Sequence, residues 1–361
     1  MAQIEAAGTG MSSVMVQEMT AAVLYGREDV RIERLPIPTA GLGEIVVRVQ
    51  AALTCGTDLK VYRRGYHARM LTVPMAFGHE LSGIVHETGP GVRNFHAGDR
   101  VVALNSAPCD ECYFCRRGQQ NLCDDLLFNN GAYAEFISIP ARIVEKNTLL
   151  VPDHIPFEHA ALTEPLACVV RGLEETNAQP GDSIVVIGGG PIGLMFMHVA
   201  QLAGLHVIAV VKRSRQIAAA RTFGAEHVIQ ITSAADPIAA VRALTPSHRG
   251  VDIAIEAVAT PTTWQWAVDM VRKGGTVNFF GGCAAGTRVD LDTNRLHYND
   301  ITLKASFHHT PATARRAFEL IRSGKFKCRE YITGRSPLSE LDSVLRRLMN
   351  RSSDIKTAII P

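Results

Sequence analysis

Residues of the types that bind zinc occur at three places in the first half of the chain. His79 and Glu80 stand side by side in the glycine-flanked run 78–83, Cys55 lies upstream, and Glu164 lies downstream. Taken singly, each has an ordinary interpretation: a buried thiol, a hydrogen-bonded core histidine, or a carboxylate at a helix terminus. One thiolate, one imidazole and one carboxylate with an open fourth position make a Lewis-acid zinc site. We therefore predict a catalytic zinc bound by Cys55, His79 and a carboxylate, which is either Glu80 or Glu164.

A second metal-binding pattern consists of four cysteines within fifteen residues, at Cys109, Cys112, Cys115 and Cys123. Four thiolates at this spacing form a closed tetrahedral site, which is typical of structural zinc. Their neighbours are charged, so core packing explains them poorly. An iron–sulfur cluster also takes four thiolates, but nothing else in the chain indicates electron transfer. We expect two zinc ions per chain.

A glycine-rich turn predicts a dinucleotide site in the second half. Gly188, Gly190 and Gly193 fit G-x-G-x-x-G directly after an apolar strand and at the start of a helix, with Pro191 and Ile192 between them. Such a turn lets a pyrophosphate approach the helix N-terminus closely, where free N–H groups favour anions. The strand–turn–helix context argues against a merely glycine-rich loop.

The end of the next strand indicates which dinucleotide binds. An NAD site usually places Asp or Glu there to bond the ribose 2′-hydroxyl, but this chain has Val211. Lys212, Arg213 and Arg215 follow, where a 2′-phosphate would lie. A solvated helix start would explain the cations but not the missing acid. We therefore predict NADP(H) rather than NAD(H).

The predicted metal ligands and the glycine-rich turn lie in parts of the chain with different patterns of secondary structure. Residues 20–160 contain short alternating strands and many glycine turns, as in a partly open barrel. After about 165, strand and helix alternate about six times, which is typical of a doubly wound sheet. Two helices, 312–323 and 338–349, and a last strand, 355–360, follow. We predict an α/β protein with a β-rich, GroES-like catalytic domain and a Rossmann cofactor domain.

Length and composition fit two domains and exclude several classes of partner. The chain has 361 residues, 47% hydrophobic and 20% charged, with a net charge of +2. Bulk charge therefore implies no nucleic-acid or membrane partner, and no apolar run reaches the roughly 20 residues of a membrane span. No signal peptide is expected, so we expect a cytoplasmic protein whose eight cysteines are reduced. A flexible tail 1–18 is expected, and the family resemblance given next implies a catalytic domain 19–170 and 308–361 with a zinc lobe 105–127, and a cofactor domain 171–307.

At this point the motifs resemble those of the zinc-containing medium-chain dehydrogenases/reductases over about 20–361. The pattern Gly78-His79-Glu80-x2-Gly83-x5-Gly89-x2-Val92 agrees with that family's zinc signature at every fixed position. The runs 98–101 and 130–136, the four-cysteine lobe and the glycine-rich turn follow in family order. The run 164–167 resembles the polyol (sorbitol-type) branch, so Cys168 is not a ligand by this resemblance. Either Glu80 or Glu164 remains open as the carboxylate ligand, and a water can intervene.

The resemblance also implies roles for residues around the metal. Thr57 would hydrogen-bond the substrate alcohol, and Asp58 would orient a liganding imidazole. Tyr62 matches an aromatic of the polyol pocket. Phe307 would lie near the nicotinamide, and Lys356 matches a basic residue near the cofactor pyrophosphate.

The sequence departs from the family at two places. Lys60 stands where many relatives have a histidine that relays the proton; Lys60 could take part in a relay through a ribose hydroxyl, or it could equally hold an acidic substrate group. The run 306–309, Ser-Phe-His-His, replaces an Arg-Tyr pair of sorbitol dehydrogenases, which puts a plain sorbitol substrate in doubt.

The resulting functional prediction is a zinc-dependent, NADP(H)-linked interconversion of a secondary alcohol, a polyol or sugar derivative, and its ketone. Glu80, Thr57 and Lys60 are the candidate catalytic residues. An amino alcohol such as threonine is the rival substrate, with Lys60 or Arg63 taking its carboxylate. A non-catalytic NADP(H)-binding module is the rival class, but such a module has no use for an open metal site. Family relatives are usually dimers or tetramers, so we expect a homodimer or homotetramer.

Overall fold

The computed structural model of the chain describes residues 17–66, 70–231, 236–350 and 353–361. Most of the expected flexible tail, residues 1–16, lies outside the described residues, and Glu18 already begins the first strand. Within the described ranges, no helix is both long and apolar enough to span a membrane.

The part of the chain up to residue 160 consists mainly of short strands joined by turns. Its strands are β1 Glu18–Gly26, β2 Asp29–Pro36, β3 Ile45–Leu53, β4 Met75–Ala76, β5 Leu81–Thr88, β6 Arg100–Ala103, β7 Ser106–Ala107, β8 Leu127–Phe128, β9 Phe136–Ile139 and β10 Thr148–Leu150. Its helices are α1 Gly56–Arg64, α2 Tyr113–Arg116, α3 Ala141–Asn147 and α4 Phe157–Ala160.

Helices and strands then alternate up to residue 305. The helices are α5 Thr163–Glu174, α6 Pro191–Leu202, α7 Arg215–Thr222, α8 Pro237–Ala243, α9 Pro261–Met270 and α10 Thr293–Tyr298. The strands are β11 Ser183–Ile187, β12 His206–Val211, β13 His227–Gln230, β14 Val251–Glu256, β15 Val271–Phe279 and β16 Thr302–Ala305. The chain ends with α11 Pro311–Arg322, α12 Cys328–Tyr331, β17 Ile332–Pro337, α13 Leu341–Met349 and β18 Lys356–Ile360.

Strand β3 lies at the centre of the N-terminal barrel. It pairs antiparallel with β5, β9 and β18, within a sheet ordered β10-β6-β5-β3-β18-β17. A smaller sheet, β2-β1-β4, lies beside it. The last strand of the chain therefore returns to the first half, with Ala358 opposite Leu53. This topology confirms the expected partly open, GroES-like barrel.

The second sheet is parallel throughout and ordered β13-β12-β11-β14-β15-β16. This is the doubly wound order, and it confirms the expected Rossmann fold. Alternate residues of β11 pack into different cores: Ile184 and Val186 into one, Val185 and Ile187 into another. Both faces of the sheet are therefore covered, which explains why this strand is an uninterrupted apolar run.

Two helices that carry candidate site residues were not predicted from the sequence. Helix α1 begins at a glycine, and its buried face consists of only Asp58, Val61 and Tyr62. Helix α5 contains Pro165, which is tolerated because it lies in the first turn, where no intrahelical N–H bond is lost. Helix α5 also runs without a break across residue 170, where we had expected the catalytic domain to end.

Candidate active site

The pairing of three strands brings the candidate metal ligands together. Strand β3 places Ala52 opposite Leu81 of β5 and Leu53 opposite Ala358 of β18. The residues just outside these pairs are Cys55, Glu80 and Lys356. Ligand atoms of Cys55, His79 and Glu80 all lie within 4.8 Å of one another.

Cys55 is positioned by the start of helix α1. It is the N-cap, with extended backbone angles (φ −124°, ψ 152°), and its Sγ accepts the N–H of Thr57 at 3.4 Å. Its own N–H donates to Oδ2 of Asp58 at 3.0 Å, which completes a reciprocal capping box. These two hydrogen bonds fix the position of the Cys55 sulfur at the start of α1.

His79 is held between a glycine and a carboxylate. Gly78 has φ 92°, and a Cβ there would lie 2.6 Å from the ring of Tyr133, so no larger residue fits. Nδ1 of His79 lies 3.0 Å from Oδ1 of Asp58, and the imidazole is 4% exposed. Burial alone would lower the pKa of His79, but the charges of Asp58 and Cys55 raise it well above its usual value. When Nδ1 carries the proton and donates it to Asp58, the lone pair of Nε2 is left to bind a metal.

Asp58 orients both of these ligands at once. Its Oδ2 also accepts the hydroxyl of Tyr133 at 2.7 Å, and that hydroxyl lies 3.1 Å from the carbonyl of Leu53. One carboxylate therefore fixes the Cys55 backbone, the His79 ring and the Tyr133 phenol. The run 130–136 was read from the sequence only as a motif, and its glycine gave no signal that Tyr133 would support the metal site.

Replacing Asp58 by asparagine is expected to lower the affinity for the catalytic metal about 10–100-fold, the usual cost of losing a partner that orients a ligand. In asparagine only Oδ1 can accept a hydrogen bond, because the other terminal atom is an NH2 donor. Either His79 or the Cys55 backbone therefore loses its acceptor. Competition with a chelator measures the affinity. Tyr133→Phe removes one bond to Asp58 and keeps the carboxylate, so it should cause a smaller loss; an equal loss in both variants would contradict this account.

Glu80 makes a buried ion pair with Lys356. The two side chains are 0% and 1% exposed, and Nζ lies 2.5 Å and 2.8 Å from the two carboxylate oxygens. The carbonyl of Thr54 accepts a third bond from Nζ at 3.0 Å. Burial raises the pKa of Glu80 although the nearby ammonium opposes that rise, and, although burial opposes it, the charge of Glu80 raises the pKa of Lys356. A carboxylate has about four lone-pair sites, so Glu80 can hold Lys356 and still bind a metal.

The placement of Lys356 differs from the sequence expectation. It was expected near the cofactor pyrophosphate, but its ammonium points to Glu80 and Thr54. The pairing spans 276 positions in sequence, and it arises from the β3–β18 pairing rather than from any local pattern.

Glu164 lies in the first turn of α5 and belongs to a different group. Its ligand atom lies within 4.8 Å of those of Cys168 and His308. The side chain is 6% exposed, and it accepts no hydrogen bond from any residue in the described ranges. Burial and the charge of Glu80 raise the pKa of Glu164 to about 7, although His79 opposes the rise. Because the charges of His79 and Glu80 act on it, Glu164 lies near both residues, and we call the space beside these three side chains the chamber.

The other candidates of the substrate region differ in how close they come to the metal ligands. Thr57 lines, with His79 and Asn130, a cavity of about 10 Å³. Lys60 lies on the exposed face of α1, opposite the buried face that carries Asp58, and it is not among the described residues that line this cavity. Tyr62, expected in a polyol pocket, is instead buried, and its hydroxyl donates to Asp342 at 2.6 Å.

The glycine-rich turn connects β11 to α6 as the sequence predicts. A Cβ on Gly193 would lie 1.9 Å from the carbonyl oxygen of Gly188, so only glycine permits this close strand–helix contact. Gly190 is the N-cap of α6 and Pro191 its first residue, where a missing N–H costs little. Ile192 packs against the core beneath the sheet.

A cleft of about 340 Å³ joins this turn to the metal ligands. Its lining residues come from the start of α1, the glycine-rich turn, the start of α7 and the segment before β18: Thr54, Cys55, Gly56, Leu59, Gly189, Gly190, Pro191, Leu194, Arg213, Arg215, Gln216, Ala219, Leu348, Ser353, Asp354 and Ile355. Lys212 is exposed and is not part of this lining. Asp354 is the acidic member among the described lining residues, and it pairs with Arg347.

Gln216 is a lining residue that the sequence gave no reason to select. Its Oε1 accepts the N–H groups of Lys212 and Arg213 at 3.2 Å and 3.0 Å, and its Nε2 donates to the carbonyl of Gly189 at 3.0 Å. It therefore ties the start of α7 to the glycine-rich turn. The N-cap of α7, Ser214, makes no side-chain cap, and the N–H groups of Gln216 and Ile217 donate to the carbonyls of Arg213 and Ser214.

The segment after β16 reaches toward the metal ligands. Phe307 is 44% exposed, and its carbonyl accepts a bond from Arg171 at 2.8 Å. Nε2 of His308 lies 2.5 Å from Oγ of Ser106, and Nε2 of His309 lies 3.0 Å from Oδ1 of Asn105. These two bonds connect the segment to the loop before the four cysteines.

The sulfurs of the four cysteines lie close enough together to bind one metal ion. Their sulfurs lie within 4.8 Å of one another, with Cys109 Sγ 3.4 Å from Cys123 Sγ and 4.0 Å from Cys115 Sγ. Zinc–sulfur bonds of about 2.3 Å in a tetrahedron give sulfur–sulfur separations of about 3.8 Å. All four are free thiols. Burial raises the pKa of the Cys115 thiol, and its hydrogen bond with Cys112 raises it further. A bound cation would favour the thiolate form of such a cysteine.

Comparisons with known proteins agree with this architecture. Residues 41–153 match the family model of the alcohol dehydrogenase GroES-like domain, and residues 191–323 match that of zinc-binding dehydrogenases. A sorbitol dehydrogenase of Bacillus subtilis (strain 168) is 30% identical over 97% of this chain and 99% of its own length. An L-threonine 3-dehydrogenase of Bacillus velezensis is 32% identical over 91% of this chain and 95% of its own length.

Among solved structures, a zinc-binding dehydrogenase from Sinorhizobium meliloti 1021 bound to NADP superposes with a TM-score of 0.88. It is 28% identical, and the match covers 96% of this chain and all of that one. The fold and these matches define an alcohol dehydrogenase of the zinc-dependent type. The chain belongs to the zinc-containing medium-chain dehydrogenase/reductase superfamily, and within it to the polyol dehydrogenase branch.

Proposed function

We propose that the chain interconverts a secondary alcohol, a polyol or sugar derivative, and its ketone by hydride transfer with NADP(H). The observation that carries this proposal is the single cleft lined by Cys55 at one end and by the glycine-rich turn and Arg213 at the other. A nicotinamide dinucleotide bound on the turn would reach toward the metal ligands within the same cleft. Positioning of hydride donor and acceptor is the main task of the protein in such a reaction.

We further propose that Cys55, His79 and Glu80 hold the catalytic zinc, which when bound supplies a Lewis acid at the substrate oxygen. The proximity of their three ligand atoms supports this set, and Lys356 fixes the Glu80 carboxylate as ligating carboxylates are usually fixed. In this arrangement Glu164 lies near His79 and Glu80 but is not itself a ligand of the catalytic zinc. The Thr57 hydroxyl is the group we assign to the proton of the substrate alcohol. The four cysteines would hold a second, structural zinc.

The preference for NADP(H) is proposed from the start of α7. Arg213 and Arg215 line the cleft, Val211 ends β12 without a carboxylate, and the helix N-terminus is uncapped. A 2′-phosphate there would gain two guanidinium partners, whose planar N–H groups suit phosphate oxygens.

The double substitution Arg213→Ala and Arg215→Ala is expected to raise KM for NADPH about tenfold or more, since a hydrogen bond to a charged group contributes about 1.5–3 kcal/mol. KM for NADH should change little, because NADH lacks the phosphate. Steady-state kinetics with both cofactors measures the effect. Arg221→Ala, an exposed arginine of the last turn of the same helix, serves as the control. Equal losses with both cofactors would contradict the assignment.

An amino alcohol of the threonine type is the second candidate substrate, because a relative named L-threonine 3-dehydrogenase is 32% identical to this chain. Neither Lys60 nor Arg63 is among the described residues that line the cleft or the small cavity beside His79, so a substrate carboxylate would find neither cation in that lining, which favours the polyol. A panel of polyols, sugar derivatives and L-threonine, each assayed with NADP and NAD, tests the proposal. Threonine turnover above that of every polyol would overturn the substrate class.

Three sequence expectations remain predictions. They are the domain divisions at 170 and 308, a homodimeric or homotetrameric assembly, and a cytoplasmic location. The parallel sheet between residues 183 and 305 supports the cofactor domain.

A further inference from the structure

A second group of metal-binding side chains lies beside the proposed catalytic set. Ligand atoms of Glu164, Cys168 and His308 are all within 4.8 Å of one another, and none of the three belongs to the Cys55 group. We propose that these residues form an additional site for a soft divalent cation such as Zn²⁺ or Cd²⁺. One carboxylate, one thiolate and one imidazole, with a water at the fourth position, are a ligand set that zinc accepts.

Helix α5 supplies two of the ligands in a fixed arrangement. Glu164 and Cys168 are four residues apart, so their side chains project from the same face, one turn apart. Glu164 is nearly buried and accepts no hydrogen bond from the described part of the chain, and the thiol of Cys168 is free. A buried carboxylate without a partner is costly, and a cation would offset that cost.

The third residue, His308, comes from the segment after β16 and has a strained backbone conformation. Its φ is 68°, in the left-handed region, which a histidine adopts rarely and at a cost of about 1–3 kcal/mol. Such a conformation persists when the surroundings over-determine it. Arg171 provides part of that restraint, donating to the carbonyls of Phe307 at 2.8 Å and His308 at 3.3 Å.

A polar network holds this arginine and the turn together. Arg171 makes an ion pair with Glu175 on the same helix, and Glu175 accepts the Ser306 hydroxyl at 2.7 Å. The amide of Asn278 donates to Ser306 at 2.9 Å and to the carbonyl of Gly172 at 2.7 Å. The last turns of α5 therefore hold the segment that carries His308, while the first turns carry Glu164 and Cys168.

The hydrogen bond of His308 also prepares its ring for a metal. Oγ of Ser106 lies 2.5 Å from Nε2. When Nε2 carries the proton and donates it to Ser106, Nδ1 presents its lone pair, as in metal-bound histidines whose other nitrogen is hydrogen-bonded. No described residue bonds to that Nδ1.

This site is distinct from the two zinc sites proposed above and would fill after them. A divalent cation beside the Cys55 group repels a second one nearby, so the additional site binds more weakly and fills at excess metal. An ion there would occupy the chamber next to His79 and Thr57. We therefore expect reversible inhibition by excess Zn²⁺ or Cd²⁺ that does not depend on which alcohol is the substrate.

The test is the number of metal ions bound per chain across a Zn²⁺ titration, measured by equilibrium dialysis and elemental analysis. The wild-type protein should take up two ions first and a third at excess zinc. Cys168→Ser should lower the affinity for the third ion tenfold or more. His308→Asn should have the same effect, and asparagine is chosen because it tolerates the left-handed backbone conformation. Cys283→Ser, a half-buried thiol outside the site, is the matched control and should keep all three ions.

A Cd²⁺ titration followed by thiolate-to-metal charge-transfer absorption gives an independent reading, because Cys168 should add one sulfur ligand at the third equivalent. Saturation of the wild-type protein at two ions would overturn the proposal, and so would a third ion retained in both variants. Failure of the proposed function would look different: the first two ions would be missing, or no alcohol would be oxidised at any metal content.

Discussion

Glu80→Gln is expected to remove the catalytic metal and to lower kcat/KM by more than about 100-fold. Loss of a residue that merely orients a ligand costs about 10–100-fold in affinity or activity, and loss of a ligand should exceed that. The proximity of the Glu80, Cys55 and His79 ligand atoms is the basis for this expectation. Metal content per chain should fall from two to one, because the four-cysteine site is untouched.

The matched comparison is the same change at two other glutamates. Glu164→Gln should keep two metal ions per chain and lower activity by only about 10–100-fold, since Glu164 faces the chamber without joining the ligand set. Glu174 lies on the same helix, where it is exposed and pairs with Arg316. Glu174→Gln should therefore change neither the metal content nor the activity. Loss of the catalytic metal from Glu164→Gln but not from Glu80→Gln would contradict the assignment.

Lys356→Met is expected to lower the free energy of unfolding of the metal-free protein by about 3–5 kcal/mol, the usual cost of leaving one partner of a buried ion pair uncompensated. The Glu80 carboxylate would remain fully buried without the ammonium that now lies 2.5 Å away. Urea unfolding of the chelator-treated protein measures the loss. Zinc should restore part of it, because a cation bound by Glu80 also neutralises the charge.

The double variant separates stability from catalysis. Combining Glu80→Gln with Lys356→Met removes both charges, and replacing a buried ion pair with neutral groups is often nearly neutral in stability. The double variant should therefore regain most of the unfolding free energy while remaining inactive. A single Lys356→Met variant as stable as wild type when metal-free would show that the pair is not as buried as its geometry indicates.

Patterns that are local in sequence led to correct expectations of the fold. The apolar run of β11 followed by Gly188, Gly190 and Gly193 predicted the Rossmann turn, because strand, turn and helix are consecutive in the chain. Alternation predicted the short strands of residues 20–160, among which β1 and β2 pair antiparallel. The four cysteines could be grouped because they span only fifteen residues.

Features that depend on distant parts of the chain could not be read in this way. Lys356 meets Glu80 only because β18 pairs with β3. Lys60 and Tyr62 were interpreted without knowing that they lie on a helix, whose period places one outside and the other in the core. The group formed by Glu164, Cys168 and His308 requires α5 and the segment after β16 to meet, and no sequence spacing indicates that contact.

The most direct test of the central claim is the rate of NADP reduction by a secondary polyol before and after removal of the catalytic metal with a chelator. The account predicts that turnover disappears when metal content falls to one ion per chain. It should return when one equivalent of zinc is restored. Undiminished turnover by the metal-depleted protein would contradict the account.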